Sequence, residues 1–248
     1  MIEVVSREQK FSDELYGRRQ EIERSSKQYM RDMVDRSKVM RVLDVGCGTG
    51  LNAHMLRNMG HAVVGIDLSP VAIEKLRAAG FEGHVCDVID GLPFQAASFD
   101  YIYASEVIEH VSDTERFLSE LGRVLRPGGT LLLSTPNSAF WPFRLLGLLG
   151  QTLTEMQHPG HLRFFSKKSL ERSIRDAGFD DVQMSARHIY LVLPDALGRA
   201  LSWLLKPLGF EREFRLRTNT YFWQLNRLAG RASSFWADTL IVAARKSN

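Results

Sequence analysis

Val42-Leu-Asp-Val-Gly-Cys-Gly-Thr-Gly50 decides how the rest of the chain is read. Apolar residues run straight into three glycines at every second position. A helical pattern follows, with Leu51, Met55 and Leu56 on one side and Gly60 as the stop. This predicts a buried strand, a tight turn and a helix. Open α/β sheets bind ligands at such turns, where a strand's carboxyl end meets a helix N-terminus. Gly46, Gly48 and Gly50 allow close backbone approach and positive φ there.

Two nucleotide sites have glycine turns of this kind. The dinucleotide fingerprint places its third glycine five positions after the first. Here Gly50 comes four positions after Gly46, and Leu51 takes the fingerprint place. Asp44 lies just before the turn. A carboxylate there repels a pyrophosphate but accepts hydrogen bonds from an ammonium or hydroxyl. A ligand with a cationic amino-acid part is therefore favoured over a nicotinamide dinucleotide. The spacing resembles the first motif of class I S-adenosylmethionine (SAM)-dependent methyltransferases, and later motifs fall in order behind it. The resemblance implies an α/β Rossmann-like fold: a seven-stranded, mostly parallel sheet with helices on both faces and a helical lid. It implies SAM as cofactor, with Asp44, Gly46, Cys47, Gly48 and Gly50 around its methionine part.

His61-Ala-Val-Val-Gly-Ile-Asp67 reads as a second buried strand closed by an acid. Asp67 lies about twenty residues past the turn, where a carboxylate can take both ribose hydroxyls. Ser69 and Pro70 start a helix as N-cap and first residue. That leaves Asp67, with Leu68 behind it, for the ligand. Gly83-His-Val-Cys-Asp87-Val is a third strand ending in an acid. By resemblance, Asp87 accepts from the adenine amino group and the Val88 N–H reaches the ring. A fourth strand runs from Ser98 to Tyr103, with Phe99, Tyr101 and Tyr103 alternating against Asp100, Ile102 and Ala104. Ser105 at its end joins the cofactor set. Ser112-Asp-Thr-Glu115 is a capping-box pattern opening a helix. Leu-Arg-Pro-Gly-Gly-Thr-Leu-Leu-Leu-Ser-Thr-Pro-Asn137 is widespread in this superfamily and supports the fold. The last strand is Ala237 to Ala244.

Residues 1–248 read as one domain. Residues 1–38 form a helical cover, 39–187 and 232–248 the core, and 136–166 and 188–231 lid insertions. A connection as long as 136–166 inside a compact domain is usually functional.

Glu106, Glu109 and His110 form E-x-x-E-H just after the fourth strand. If the segment turns helically, Glu106 lies beside both others at i+3 and i+4. Three readings stay open. With His161, or His158, from the long loop, these residues make a site for a divalent cation: Mg²⁺, or Mn²⁺ or Zn²⁺ given the imidazole. Alternatively His110 is a general base or acceptor orienter. Or Glu109 and His110 form a structural pair beneath the cofactor. The motif resembles the ubiquinone-biosynthesis O-methyltransferases, which use a metal on a catechol-like ring. It also resembles small-RNA 3′-end 2′-O-methyltransferases, which share Thr135-Pro-Asn137 and a histidine-rich loop. The resemblance covers about residues 40–180.

The chain has 248 residues and a net charge of +3, with a pI near 8.9. That excess is too small to indicate nucleic acid. Two cysteines, Cys47 and Cys86, do not make a disulfide scaffold. The N-terminus lacks a signal pattern, and no apolar run reaches the ~18 residues of a membrane span. The expectation is a cytoplasmic protein. Apolar stretches at 140–149 and 189–205 suit a greasy pocket or peripheral membrane contact. The expected acceptor is a hydrophobic small molecule: a quinone precursor, a lipid or a natural product. RNA is a lesser alternative. A SAM-binding membrane protein without turnover is the rival from another class.

Overall fold

A computed structural model describes residues 28–157, 160–194, 210–216, 220–225 and 237–247. Short helix α1 (Gln28–Asp32) precedes β1 (Arg41–Val45), α2 (Leu51–Asn58), β2 (Ala62–Asp67), α3 (Pro70–Ala78), β3 (Glu82–Val85) and β4 (Phe99–Ser105). Then come α4 (Thr114–Val124), β5 (Leu125–Pro136), α5 (Trp141–Leu148), α6 (Leu153–Met156) and α7 (Lys167–Asp176). β6 (Phe179–Pro194), β7 (Phe210–Leu216), β8 (Thr220–Leu225) and β9 (Ala237–Lys246) complete the order.

The strands form one sheet in the order β3-β2-β1-β4-β5-β9-β6-β8-β7. The first five are parallel. β9 runs antiparallel between β5 and β6. These seven are the expected core. Two further strands extend it, because β6 runs on to Pro194 and pairs with β8. The expected lid over 188–231 is therefore β-structure in its described parts, with β7 and β8 pairing antiparallel. The first insertion, 136–166, carries helices α5 and α6.

Period-two alternation sends the strands' side chains to opposite faces. Val42, Tyr101, Tyr103, Leu132 and Ile241 pack with Met30, Val34 and Leu56 beside α1 and α2. Leu43, Val45, Ile102, Leu131, Leu133 and Val242 pack with Phe117, Leu121, Leu170 and Ile174 of α4 and α7. Burying each such aliphatic side chain stabilises the fold by about 1.5–3 kcal/mol. The alternation expected at β4 breaks once. A register shift between Phe99 and Tyr101 in the pairing with β5 puts Phe99 in the cluster opposite to the two tyrosines.

Helix starts follow local chemistry. Ser69 Oγ accepts from Ala72 N at 3.2 Å, and Pro70 opens α3. For α4 the expected cap shifts by one residue: Asp113, not Ser112, accepts from Arg116 N at 2.9 Å.

His61 is buried at the start of β2, away from the ligand end of the sheet. Met40 N–H donates to its Nδ1 at 3.4 Å, while Nε2 has no partner among the described residues. Burial lowers its pKa below the usual 6.5, against the pull of nearby Asp35. The unfolded chain therefore binds the proton more readily than the folded one. Stability should fall as pH drops below about 6.5, levelling off once the folded-state pKa is passed. His61→Asn keeps an acceptor for Met40 N–H but cannot titrate. Its urea midpoint should change less between pH 7 and pH 5 than the wild type's. Equal changes would remove His61 as the source.

Candidate active site

The strand order reverses between β1 and β4, so a crevice opens at their carboxyl ends. Val45 pairs with Ala104, which brings Gly46 and Ser105 to the rim together. The turn has positive φ at Gly46 (65°), Gly48 (53°) and Gly50 (100°). A Cβ on Gly46 would lie 2.6 Å from Val107 Cγ2, and one on Gly50 2.7 Å from Leu76 Cδ1. Only glycine fits either place.

Asp44 is fully buried beneath the turn. Asp67 accepts Gly48 N–H at 2.9 Å and Ser69 N–H at 2.9 Å. The carboxylate thus straps the turn to the start of α3. Cys47 is placed differently from a ligand-contacting side chain. Its thiol is buried on β2, where a Cβ on Gly65 would lie 2.8 Å from its Sγ. Its backbone N–H donates to Ile66 O at 3.0 Å. Burial raises the thiol's pKa strongly, and Asp44 and Asp67 raise it further. Both carboxylates therefore lie close under the turn. Such a field favours a cationic ligand and opposes a pyrophosphate.

Asp87 caps a short 3₁₀ turn, Val88–Asp90, accepting from Ile89 N at 3.1 Å. Burial pushes its carboxyl pKa up, against the pull of that bond. Burial also pushes the Cys86 thiol up to about 11. Val88 is buried and Leu68 half-buried. α4 fixes the loop beyond Asp87, a role absent from the sequence reading. Arg116 Nε donates to Ile89 O. Glu120 accepts Leu92 N–H at 2.8 Å. Arg123 donates to Leu92 O at 3.0 Å and Phe94 O at 2.8 Å.

The E-x-x-E-H segment does not turn as one helix. Glu106 has φ 58°, and a 3₁₀ turn begins only at Ile108. Glu106 therefore turns to β5, where it accepts from Ser134 Oγ at 2.8 Å. Among the described residues, the group able to hold a cation is Glu109, His110 and His161, with ligand atoms within 4.8 Å of one another. Glu106, expected with Glu109 and His110 as a ligand, is not in it; the expected loop ligand His161 is, and His158 lies outside the described residues. Buried Glu109 accepts from Thr135 Oγ1 at 2.9 Å, and its Oε1 lies 4.0 Å from His110 Nε2. His110 Nδ1 donates to Gly160 O at 2.9 Å. His161 Nδ1 meets Gln157 Oε1 at 3.0 Å. Such bonds fix ring orientation, as second partners of metal-ligating or basic histidines do. The rings of His110 and His161 cross edge to face at 4.9 Å.

The long loop reaches this place through its backbone. Leu162 N and Arg163 N both donate to Glu109 O, at 2.8 and 3.0 Å. Asn137 bridges to Phe165 and donates to Ala237 O at 2.6 Å. The sequence marks Thr135 only as part of Thr135-Pro-Asn137, and gives Ser134 and Gln157 no role at the site. A run of leucines ends in Ser134-Thr135-Pro-Asn137, and the structure buries all three of these polar residues.

A family model described as a methyltransferase domain matches residues 18–184, well over half of the chain. The chain belongs to this methyltransferase family. The human mitochondrial ubiquinone biosynthesis O-methyltransferase is 34% identical over 154 residues, covering 56% of this chain and 41% of that protein. The Xanthomonas oryzae ubiquinone biosynthesis O-methyltransferase is 40% identical over 103 residues, covering 39% and 43%. The chain spans about half or less of the length of the curated relatives it matches. A SAM-dependent methyltransferase from Archaeoglobus fulgidus shares the fold at TM-score 0.59 and 18% identity, covering 89% of this chain and 93% of that one. The chain therefore carries a methyltransferase domain on a sheet of the class I methyltransferase fold. No helix among its described residues is long and apolar enough to cross a membrane.

Proposed function

We propose that this methyltransferase methylates a hydroxyl on a hydrophobic aromatic or lipid-like acceptor. The observation that carries the reading is the group of Glu109, His110 and His161 at the carboxyl end of β4, beside the glycine turn. Relatives named ubiquinone biosynthesis O-methyltransferases support an oxygen acceptor. Leu148 and Leu149 at the end of α5, 85% and 75% exposed, support an acceptor or membrane of apolar character.

The residues present fit SAM. The glycine turn leaves no room for a Cβ at Gly46 or Gly50, and acids end β1, β2 and β3 at Asp44, Asp67 and Asp87. SAM, when bound, supplies an already activated methyl group. Asp44 and the turn would hold its methionine part, Asp67 the ribose, and Asp87 with Val88 the adenine. The protein's further work is to orient the acceptor and take its proton. His110 serves as base in this reading. Its Nδ1–H is committed to Gly160 O, which sets Nε2 as the basic nitrogen. Buried Glu109 behind it stabilises the imidazolium that forms.

A second reading rests on the same group. One carboxylate and two imidazoles fit a divalent cation, and the nitrogen content favours Mn²⁺ or Zn²⁺ over Mg²⁺. A cation, when bound, would lower the pKa of an acceptor hydroxyl. Calorimetric titration of Mn²⁺, Zn²⁺ and Mg²⁺ into protein saturated with S-adenosylhomocysteine separates the two. Saturable binding lost in His110→Ala and His161→Ala supports the cation. No binding retires it and leaves His110 as base.

A further inference from the structure

Glu106 is one of three non-glycine residues with positive φ among the described residues. A residue of this kind holds such a backbone only when its surroundings fix it. Ser134 holds Glu106 at two points. Glu106 N–H donates to Ser134 O at 3.0 Å, and its carboxylate accepts from Ser134 Oγ at 2.8 Å. The left-handed backbone at Glu106 accompanies this double contact. Ser134 is fully buried at the end of β5. Its Oγ also lies 3.2 Å from Ser105 Oγ, itself buried.

Proton counting then fixes the direction of the chain. A serine hydroxyl has one proton to donate. Ser134 gives its proton to Glu106. In the Ser105–Ser134 contact Ser105 must therefore be the donor. That commits the Ser105 proton to β5 and leaves Ser105 Oγ with acceptor lone pairs only. Ser105 lies at the reversal of strand order, opposite the glycine turn. We propose that Ser134 and Glu106 act as positioning residues that lock Ser105 as an acceptor for the methionine ammonium of SAM. An ammonium offers three donors and no acceptor, so it is matched by an oxygen that cannot turn its own proton outward. With Ser134 removed, the Ser105 hydroxyl is free to rotate and present its proton to the same place. The inference rests on SAM binding in the crevice.

The test uses the whole chain and two probes. S-Adenosylhomocysteine carries the ammonium, and 5′-methylthioadenosine lacks the entire amino-acid part. Ser134→Ala should weaken S-adenosylhomocysteine by about tenfold, the scale of one hydrogen bond to a charged group, and leave methylthioadenosine unchanged. Ser134→Thr keeps a hydroxyl and should retain affinity for both. Unchanged S-adenosylhomocysteine affinity in Ser134→Ala overturns the proposal. So does equal weakening of both probes, which marks a general structural role. If the wild type binds neither probe, the cofactor reading fails and this proposal with it.

Discussion

His110→Ala is expected to lower turnover by about 10²–10⁴-fold, the range for losing a positioned acid–base group. Affinity for S-adenosylhomocysteine should stay within about twofold of wild type. The split follows from position. His110 is half-exposed and its ring lies between Glu109, Gly160 and His161. These three residues belong neither to the glycine turn nor to the acids at the ends of β1, β2 and β3. Glu109→Gln should also lose activity, for a different reason. Glu109 is buried and accepts from Thr135; a neutral amide keeps that bond through its oxygen but removes the charge behind His110. Both variants should fold, since His110 is half-exposed and glutamine keeps the size of Glu109 and an acceptor for Thr135. Turnover measured on a catechol-type acceptor, beside calorimetry with S-adenosylhomocysteine, checks the split. Unchanged turnover in His110→Ala would leave the residue structural. A parallel loss of cofactor affinity would move it to the cofactor side of the crevice.

The parallel half of the sheet was legible because its signals are local. A strand, a glycine turn and an amphipathic helix each leave a pattern within about ten residues. The acids at 44, 67 and 87 stand where those strands end. What was not legible depends on contacts between distant residues. Helical spacing grouped Glu106 with Glu109 and His110, but no sequence pattern reveals that Ser134 draws it into a left-handed backbone. His161 comes to His110 from fifty-one positions away because Glu109 O takes the N–H groups of Leu162 and Arg163. The described parts of 188–231 are strands rather than the expected helices for a related reason. The segment's interleaved aromatic and basic residues suit either an amphipathic helix or a strand pair, and pairing with the extended β6 decides for strands. The Ser112 to Asp113 shift shows the usual one-residue play in choosing between adjacent caps.

Asp67→Ala should reduce both stability and cofactor affinity, and the two losses have separate origins. Asp67 takes two buried N–H groups, from Gly48 and from Ser69. Alanine leaves both without that acceptor, and each unmet buried donor costs about 1–3 kcal/mol. Partial solvation of the turn offsets some of this, so a loss of about 2–4 kcal/mol is expected, or roughly 5–15 °C in Tm. The ribose contact adds an affinity loss of about 1.5–3 kcal/mol, the scale of a charged hydrogen bond. Asp67→Asn is no mild control. Its amide has one acceptor oxygen, so one of the two N–H groups would face another donor. Asparagine should therefore lower Tm as well. Thermal scans with and without S-adenosylhomocysteine separate the effects. A lowered Tm with an undiminished ligand-induced rise would make Asp67 a strap for the glycine turn and remove it from the ligand. A lowered Tm together with a lost rise is the expected result, because the carboxylate that holds the turn also ends β2 at the crevice, where the proposed ribose contact lies.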